Sequence, residues 1–118
     1  MADAGLFIGW GEVVRGREER ALEVFNETIE LYGALQSDGR IEDFEVALLD
    51  PHGGELQGYV MLRGSEEQID SVRRSEDFQR VMTKASLVVN DLGIIGASIG
   101  EGLGRAIAIY QDQLAVAH

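Results

Sequence analysis

The sequence contains no cysteine, one proline and only two histidines in 118 residues. The lack of cysteine excludes a disulfide framework, a thiolate zinc site and a cysteine nucleophile. His52 lies in a turn sequence and His118 is the last residue, so one chain cannot supply a site of two or three histidines or a haem ligand on a helix. No acidic run matches an EF-hand loop. We therefore expect no metal and no cofactor.

Basic residues are also scarce. Ten Lys and Arg stand against 21 Asp and Glu, which gives a formal net charge of −11. Nucleic-acid binding depends on basic residues gathered on one face, because they neutralise phosphates. Here the basic residues are scattered among acidic ones, so we expect no nucleic-acid partner. The negative charge is explained by solubility alone.

Long apolar runs are missing as well. No basic segment followed by an apolar one opens the chain, which argues against a signal peptide. The apolar tail from Leu92 onward is interrupted by Glu101, Arg105 and Asp112, which argues against a spanning helix. With 45% hydrophobic residues, the sequence predicts one globular domain over residues 1–118, without membrane contact and cytoplasmic by default.

The first half of the chain alternates between strand and helix patterns. Residues 6–14 are apolar, aromatic and β-branched, which predicts strand one. An amphipathic pattern after Gly16 predicts a helix that ends near Gly39. Residues 41–49 and 56–63 alternate with period two and flank the turn at 50–54, which predicts an antiparallel hairpin.

The second half begins with Ser65-Glu66-Glu67-Gln68, which has the form of a capping box, and Ser75 starts a second helical pattern. Residues 91–99 hold the apolar run of strand four, and residues 103–117 predict a terminal helix. The order is β-α-β-β-α-β with an added helix. This is the ferredoxin-like arrangement, an α+β fold with helices on one face of an antiparallel sheet.

The segment "GASIGEGLGR", residues 96–105, raises the question of a phosphate-binding loop. It lacks the Lys and Ser or Thr of a Walker loop. Its glycines follow the last strand rather than the first strand of a βαβ unit, and Glu101 would repel phosphate. We interpret it as a hinge before the terminal helix.

With these elements in place, the chain resembles the dimeric α/β-barrel superfamily, which includes antibiotic-biosynthesis-type monooxygenases, muconolactone-isomerase-like proteins and YCII-related proteins. The resemblance covers nearly the whole chain. It is carried by "LFIGWGEVV", the long acidic helix, "FEVALLDPHGGELQGYVMLRG" and "SEDFQRVMTKASLVVNDLGIIGA". Members of the superfamily that bind haem use a histidine that this sequence lacks.

A dimer is also expected on physical grounds. Helices cover one face of a four-stranded sheet, and the other face here carries Tyr59, Met61 and either Trp10 or Phe7. These side chains are costly to leave in water. The resemblance implies that a second copy covers this face and closes a barrel, so we predict a homodimer.

The candidate site lies in the cleft of that barrel. Glu45, Tyr59 and Arg63 share one face of strands two and three with Gln57 and Met61, and one phase of strand one would add Trp10 and Glu12. We predict Glu45, Tyr59 and Glu12 as catalytic residues, since a carboxylate with a raised pKa abstracts protons and a phenol polarises oxygen. Predicted ligand-binding residues are Trp10, Gln57, Met61 and Arg63.

A structural interpretation of the same residues stands beside this one. Glu45 and Arg63 form a cross-strand ion pair, and Tyr59 packs at the dimer seam. The function that the sequence favours is therefore a homodimer that binds a small apolar or aromatic molecule in the cleft. The alternative is a cofactor-free isomerase, decarboxylase or monooxygenase that uses Glu45 or Glu12 as general base, and a purely structural domain is the third class.

Overall fold

The computed structural model describes residues 2–117, so the predicted position of His118 lies outside the described residues. The order of elements is β1 (Ala4–Trp10), α1 (Glu18–Ser37), β2 (Asp43–Leu48), β3 (Gly58–Gly64), α2 (Glu66–Arg74), α3 (Glu76–Ser86), β4 (Gly93–Ser98) and α4 (Gly100–Ala117). The four strands form one antiparallel sheet in the order β2-β3-β1-β4. The ferredoxin-like α+β fold with an added C-terminal helix is confirmed.

The core lies between one face of the sheet and helices α1 to α3. On β1 and β3, residues of even number point into it, among them Leu6, Ile8, Val60 and Leu62, each at most 2% exposed. Tyr32 and Leu35 of α1 cover the core on the side opposite the sheet. Because side chains alternate along a strand, the odd-numbered residues form the opposite face, which none of the helices described here covers.

The helix starts follow from local chemistry. Ser65 accepts a hydrogen bond from the backbone N–H of Gln68, and the Gln68 side chain accepts one from the backbone N–H of Ser65, which confirms the capping box at α2. Ser75 ends α2 in an extended conformation and begins α3, as the sequence pattern indicates. Both helices place their apolar residues on the sheet.

Several boundaries differ from the sequence prediction. β1 ends at Trp10 rather than at residue 14; beyond it the Gly11 N–H donates to the Asn90 carbonyl at 2.8 Å, and Val13 makes an isolated bridge to Val89. β3 begins at Gly58 rather than at residue 56, so the hairpin connection is nine residues long. β2 is shorter by two residues at its start and one at its end.

The predicted hinge before the last helix is only partly right. Gly96 lies within β4, and α4 already begins at Gly100, whose φ of +52° makes the turn. Gly102 sits inside α4, where a Cβ atom would lie 2.0 Å from the backbone oxygen of Asp3. These glycines therefore serve the turn and a close approach to the N-terminal segment, rather than a flexible loop.

Candidate functional site

The uncovered face of the sheet is built from β1, β3 and β2. Antiparallel register places Phe7 beside Met61 and Gly9 beside Tyr59. The rings of Phe7 and Tyr59 stack diagonally with centroids 5.2 Å apart and an interplanar angle of 22°. Of the two phases left open for strand one, the structure has the one that puts Phe7, and not Trp10, on this face.

A polar corner adjoins these aromatic rings. The Tyr59 hydroxyl donates a hydrogen bond to Glu45 Oε2 at 2.9 Å. Arg63 donates to Asp43 Oδ1 at 3.3 Å and to Glu45 Oε1 at 3.4 Å. The chain thus brings one guanidinium, one phenol and two carboxylates together across β2 and β3, on a surface open to solvent.

The electrostatics of this corner favour an ionised Glu45. The Tyr59 hydrogen bond, followed by the Arg63 hydrogen bond and charge, lowers the pKa of Glu45, and the same carboxylate raises the pKa of the Tyr59 phenol. A general base that takes protons from carbon needs a raised pKa instead. The arrangement of Glu45 and Arg63 is the cross-strand pair of the structural interpretation.

The seven predicted site residues do not all come together. Glu45, Tyr59, Met61 and Arg63 share the open face. Glu12 lies beyond the end of β1 and is exposed. Gln57 precedes β3, and its side-chain amide donates to the Glu55 carbonyl. The sequence did not decide which residues of strand one lie on the open face. The observed arrangement separates Glu12 and Gln57 from the other predicted residues.

Trp10 lies on the opposite face of the sheet. Its ring packs edge-on against Phe25 of α1, with centroids 6.0 Å apart. This position removes Trp10 from the open face, but it places the indole in the wall of a cavity between the sheet and α1.

That cavity is the feature that sequence reasoning missed. Its volume is about 320 Å³, in the range of small-molecule sites, and its walls are almost wholly apolar. Exposed Val13, Glu18, Leu22 and Leu48 lie at its rim, and Glu18 is the one charged residue of the lining. Toward the interior the walls are formed by Ile8, Trp10, Ala21, Val24, Phe25, Thr28, Tyr32, Val60, Met82, Ala85, Val88, Val89 and Leu92.

Small side chains on facing helices create this space. Ala21 of α1 and Ala85 of α3 are both buried where larger residues would fill the gap. In the sequence, both alanines fit an ordinary core pattern. Their small size was the only available signal of a cavity, and it becomes visible only once the two residues are known to be buried next to each other. Leu22, which follows Ala21 on α1, is 62% exposed.

Two polar groups line the inner wall. The Thr28 hydroxyl donates to the Phe25 carbonyl at 2.6 Å. The Tyr32 side chain is 1% exposed, and burial raises the pKa of its phenol. Its hydroxyl therefore stays protonated, and it can donate a hydrogen bond to a bound acceptor.

Other expected chemistry can be placed on the structure. His52 lies in the β2–β3 connection, where its ring nitrogens contact the Leu56 carbonyl at 2.6 Å and the Gly54 N–H at 3.2 Å. Among residues 2–117, no group of three His, Asp or Glu side chains is arranged to hold a metal ion. Over the same residues, no helix has both the length and the apolar character needed to cross a membrane.

Comparison with known proteins was made at the level of sequence and of structure. No family model and no curated protein matches the chain. A dimeric protein of unknown function and ferredoxin-like fold from Bacteroides fragilis superposes with a TM-score of 0.60 at 13% identity, over 81% of this chain and 96% of that one.

Two other similar structures carry enzymatic descriptions. A putative antibiotic biosynthesis monooxygenase from Chloroflexus aurantiacus matches with a TM-score of 0.51 and 14% identity, over 82% of this chain and 93% of that one. SnoaB, a cofactor-independent oxygenase from Streptomyces nogalater, matches with a TM-score of 0.53 and 16% identity, over 84% and 95%. The chain therefore has the ferredoxin-like fold that these dimeric and monooxygenase-type proteins share, as the resemblance in its sequence implies.

Proposed function

We propose that this protein binds a small, flat and largely apolar molecule in the cavity between the sheet and α1. The observation that carries the proposal is the cavity itself, about 320 Å³ in volume and lined by Trp10 and Phe25. Apolar walls with few polar groups are typical of small-molecule sites. The ligand class is the one expected from the sequence. The proposed binding site, however, lies on the covered face of the sheet and not on the open face.

Tyr32 refines the ligand class. Its side chain lines the cavity, and its hydroxyl would donate one hydrogen bond to a carbonyl or ether oxygen, so we expect a ring system with one acceptor to bind more tightly than the matching hydrocarbon. The pair 2-acetylnaphthalene and 2-ethylnaphthalene tests this point. Tyr32→Phe should remove the preference for the ketone and leave binding of the hydrocarbon unchanged.

Trp10 makes binding directly measurable, because it is the only tryptophan in the chain. The uncharged probe N-phenyl-1-naphthylamine should accept excitation energy from Trp10 when it enters the cavity. Ala21→Phe should fill the space and weaken binding at least tenfold. Ala34→Phe, at an exposed position of the same helix, is the matched control and should bind like the wild type. Equal binding by both variants would remove the cavity as the site.

The catalytic alternative draws on SnoaB, described as an oxygenase without a cofactor. For this chain it would require Glu45 or Glu12 as general base. Because the pKa of Glu45 is lowered, its carboxylate is a weaker base, which argues for the binding function and against proton abstraction. Phenols and lactones that bind in the fluorescence assay can be followed for consumption by chromatography. Loss of turnover in Glu45→Gln, with turnover kept in Glu67→Gln, would support catalysis.

We also propose that two copies associate through the open face of the sheet. Phe7, Tyr59 and Met61 form an apolar centre there, and no element in the described part of the chain, residues 2–117, covers it. A fold neighbour is described as dimeric. Met61→Lys should lower the mass measured by light scattering, whereas Gln79→Lys, on the exposed surface of α3, should not. A monomeric wild type at micromolar concentration would contradict this proposal.

A further inference from the structure

The last helix, α4, stands away from the rest of the molecule. Apart from Gly102, every described residue of this 18-residue helix is exposed. The molecule measures 54 × 37 × 23 Å, and its radius of gyration of 16.2 Å exceeds the roughly 13–14 Å expected of a compact chain of this length. Only the first turns of α4 are attached, through Gly100 and Gly102 against residues 2–3 and through Arg105, which pairs with Asp3 at 2.7 Å.

A projecting helix of this composition lacks the packing that normally stabilises helices. Gly100, Gly102 and Gly104 in its first turns are poor helix formers, since glycine is less favourable than alanine in a helix interior. Most helical stability in proteins comes from burying an apolar face, so α4 needs a partner surface.

The apolar side chains of α4 follow the spacing of a helix–helix seam. Leu103, Ile107, Tyr110 and Leu114 recur at steps of four, three and four residues, and they are 49%, 48%, 66% and 45% exposed. Steps that alternate between three and four place side chains along one line, which packs into the matching line of another helix. We name these four residues the α4 stripe.

Charge indicates which partner the stripe fits. The whole chain carries a net charge of −11, but α4 contains only Glu101, Arg105 and Asp112, and none of them belongs to the stripe. Asp112 lies on the opposite side of the helix from Tyr110, at 200° around its axis. Two strongly acidic copies can approach most easily where charge is depleted, as it is in the centre of protein interfaces.

We propose that the α4 stripe is a self-association surface, on which α4 of one copy packs antiparallel against α4 of a second copy. An antiparallel pair places Leu103 opposite Leu114 and Ile107 opposite Tyr110, so the same four residues cover themselves under two-fold symmetry. The attached first turns contact residues 2–3 rather than the open face of the sheet, so this contact does not rest on the sheet-face dimer.

The proposal is tested by charge at the centre of the stripe. Ile107→Glu and Ile107→Lys should each lower the assembled mass measured by analytical ultracentrifugation, and an equimolar mixture of the two should restore it. Ala108→Glu, one residue along and on the side of Asp112, adds the same charge off the stripe and should leave the mass unchanged. Far-UV circular dichroism confirms that the variants fold.

Combining Ile107→Glu with Met61→Lys distinguishes the α4 contact from the contact through the open face of the sheet. When the two surfaces act about different two-fold axes, the wild type contains at least four copies, each single variant two and the double variant one. A wild-type assembly that Ile107→Glu reduces and Met61→Lys does not would support the α4 contact and contradict the sheet-face dimer. Unchanged mass in Ile107→Glu would overturn the α4 proposal. A second result would also overturn it. If Ile107→Glu abolishes sedimentation of the protein with phosphatidylcholine vesicles but leaves the assembled mass unchanged, the α4 stripe binds lipid rather than a second copy.

Discussion

Tyr59 donates a hydrogen bond to Glu45 across neighbouring strands, with 2.9 Å between the hydroxyl and Oε2. The contact joins the aromatic centre of the open face to its polar corner, because the same Tyr59 ring stacks on Phe7. It also fixes the protonation of both partners in opposite directions. The carboxylate stays ionised and the phenol stays protonated at neutral pH.

Tyr59→Phe should raise the pKa of Glu45 toward its ordinary value. The hydrogen bond from Tyr59 is the largest cause of the lowered pKa, and Arg63 contributes the rest. The side-chain carboxyl of Glu45 can be followed by 13C NMR as pH falls. Because the folded pKa lies below the unfolded one, the contact stabilises the protein at neutral pH, and this contribution is lost as pH falls through the folded pKa.

Arg63→Met provides the matched comparison, since it removes the second cause and leaves the phenol. It should also raise the pKa of Glu45, because the hydrogen bond and the charge of Arg63 both lower it. Tyr59 itself should titrate above the ordinary tyrosine range when its absorbance is followed at alkaline pH. If the pKa of Glu45 in the wild type has its ordinary value, the hydrogen bond from Tyr59 to Glu45 does not form in solution.

Much of the fold could be predicted from the sequence because its signals are local. The alternation of Phe44 and Val46 with Asp43 and Glu45 defines the two faces of β2 without tertiary information. The ends of the strands were less predictable. Trp10 and Val13 both suit a strand, but β1 ends between them, where the Gly11 N–H donates to the Asn90 carbonyl at 2.8 Å.

The candidate site was harder to predict because it depends on distant residues. Glu45, Tyr59 and Arg63 were found, since two paired strands place them on one face. The phase of β1 relative to β3 is set by core packing of Leu6 and Ile8, which the sequence alone left undecided. Ala21 and Ala85, which border the cavity, are 64 positions apart in the chain, so no local pattern reports it.

Gly102 and Gly104 form a matched pair of substitutions in α4. A Cβ at Gly102 would lie 2.0 Å from the Asp3 oxygen, whereas a Cβ at Gly104 meets nothing within 4 Å. Gly102→Ala should destabilise the protein by about 1–3 kcal/mol, because backbone must shift. Gly104→Ala should stabilise it by up to about 1 kcal/mol through helix propensity. Urea unfolding measures both.

Hydrogen exchange adds a local measurement for the same pair. The Ile99 N–H donates to the Asp3 carbonyl at 3.2 Å, so Gly102→Ala should speed exchange at the Ile99 amide. Gly104→Ala should leave this amide protected. Equal stability of the two variants would show that the segment at residues 2–3 does not pack on α4 in solution.

The N-terminus of α2 should depend on the Ser65 hydroxyl. Ser65→Ala removes the acceptor for the Gln68 N–H, at 3.1 Å, and should lower the free energy of unfolding by about 1 kcal/mol. Ser65→Thr keeps a hydroxyl at the cap and should lose only a small part of that stability. Thermal unfolding followed by circular dichroism compares the three proteins, and a destabilised Thr variant would assign the loss to packing.

Asp77 should give the protein a stability that depends on acid pH. Arg40 donates to its carboxylate at 3.0 Å, and together with the Ser75 hydrogen bond this lowers the pKa of Asp77 to about 2. The contribution is therefore present above the ordinary range of an aspartate and is lost as pH falls toward 2. Because the two side chains are 37% and 46% exposed, solvent screening reduces it to about 1 kcal/mol.

Asp77→Asn should accordingly be less stable than the wild type by about that amount at pH 6, and the difference should close as pH falls from about 5 to about 2. Glu76→Gln is the control in the same turn. Its carboxylate pairs only with the exposed Arg80, so this variant should stay within about 0.5 kcal/mol of the wild type. Urea unfolding across the pH range gives each difference. A gap between Asp77→Asn and the wild type that is constant with pH would mean that the loss comes from the helix N-terminus and not from the ionised pair.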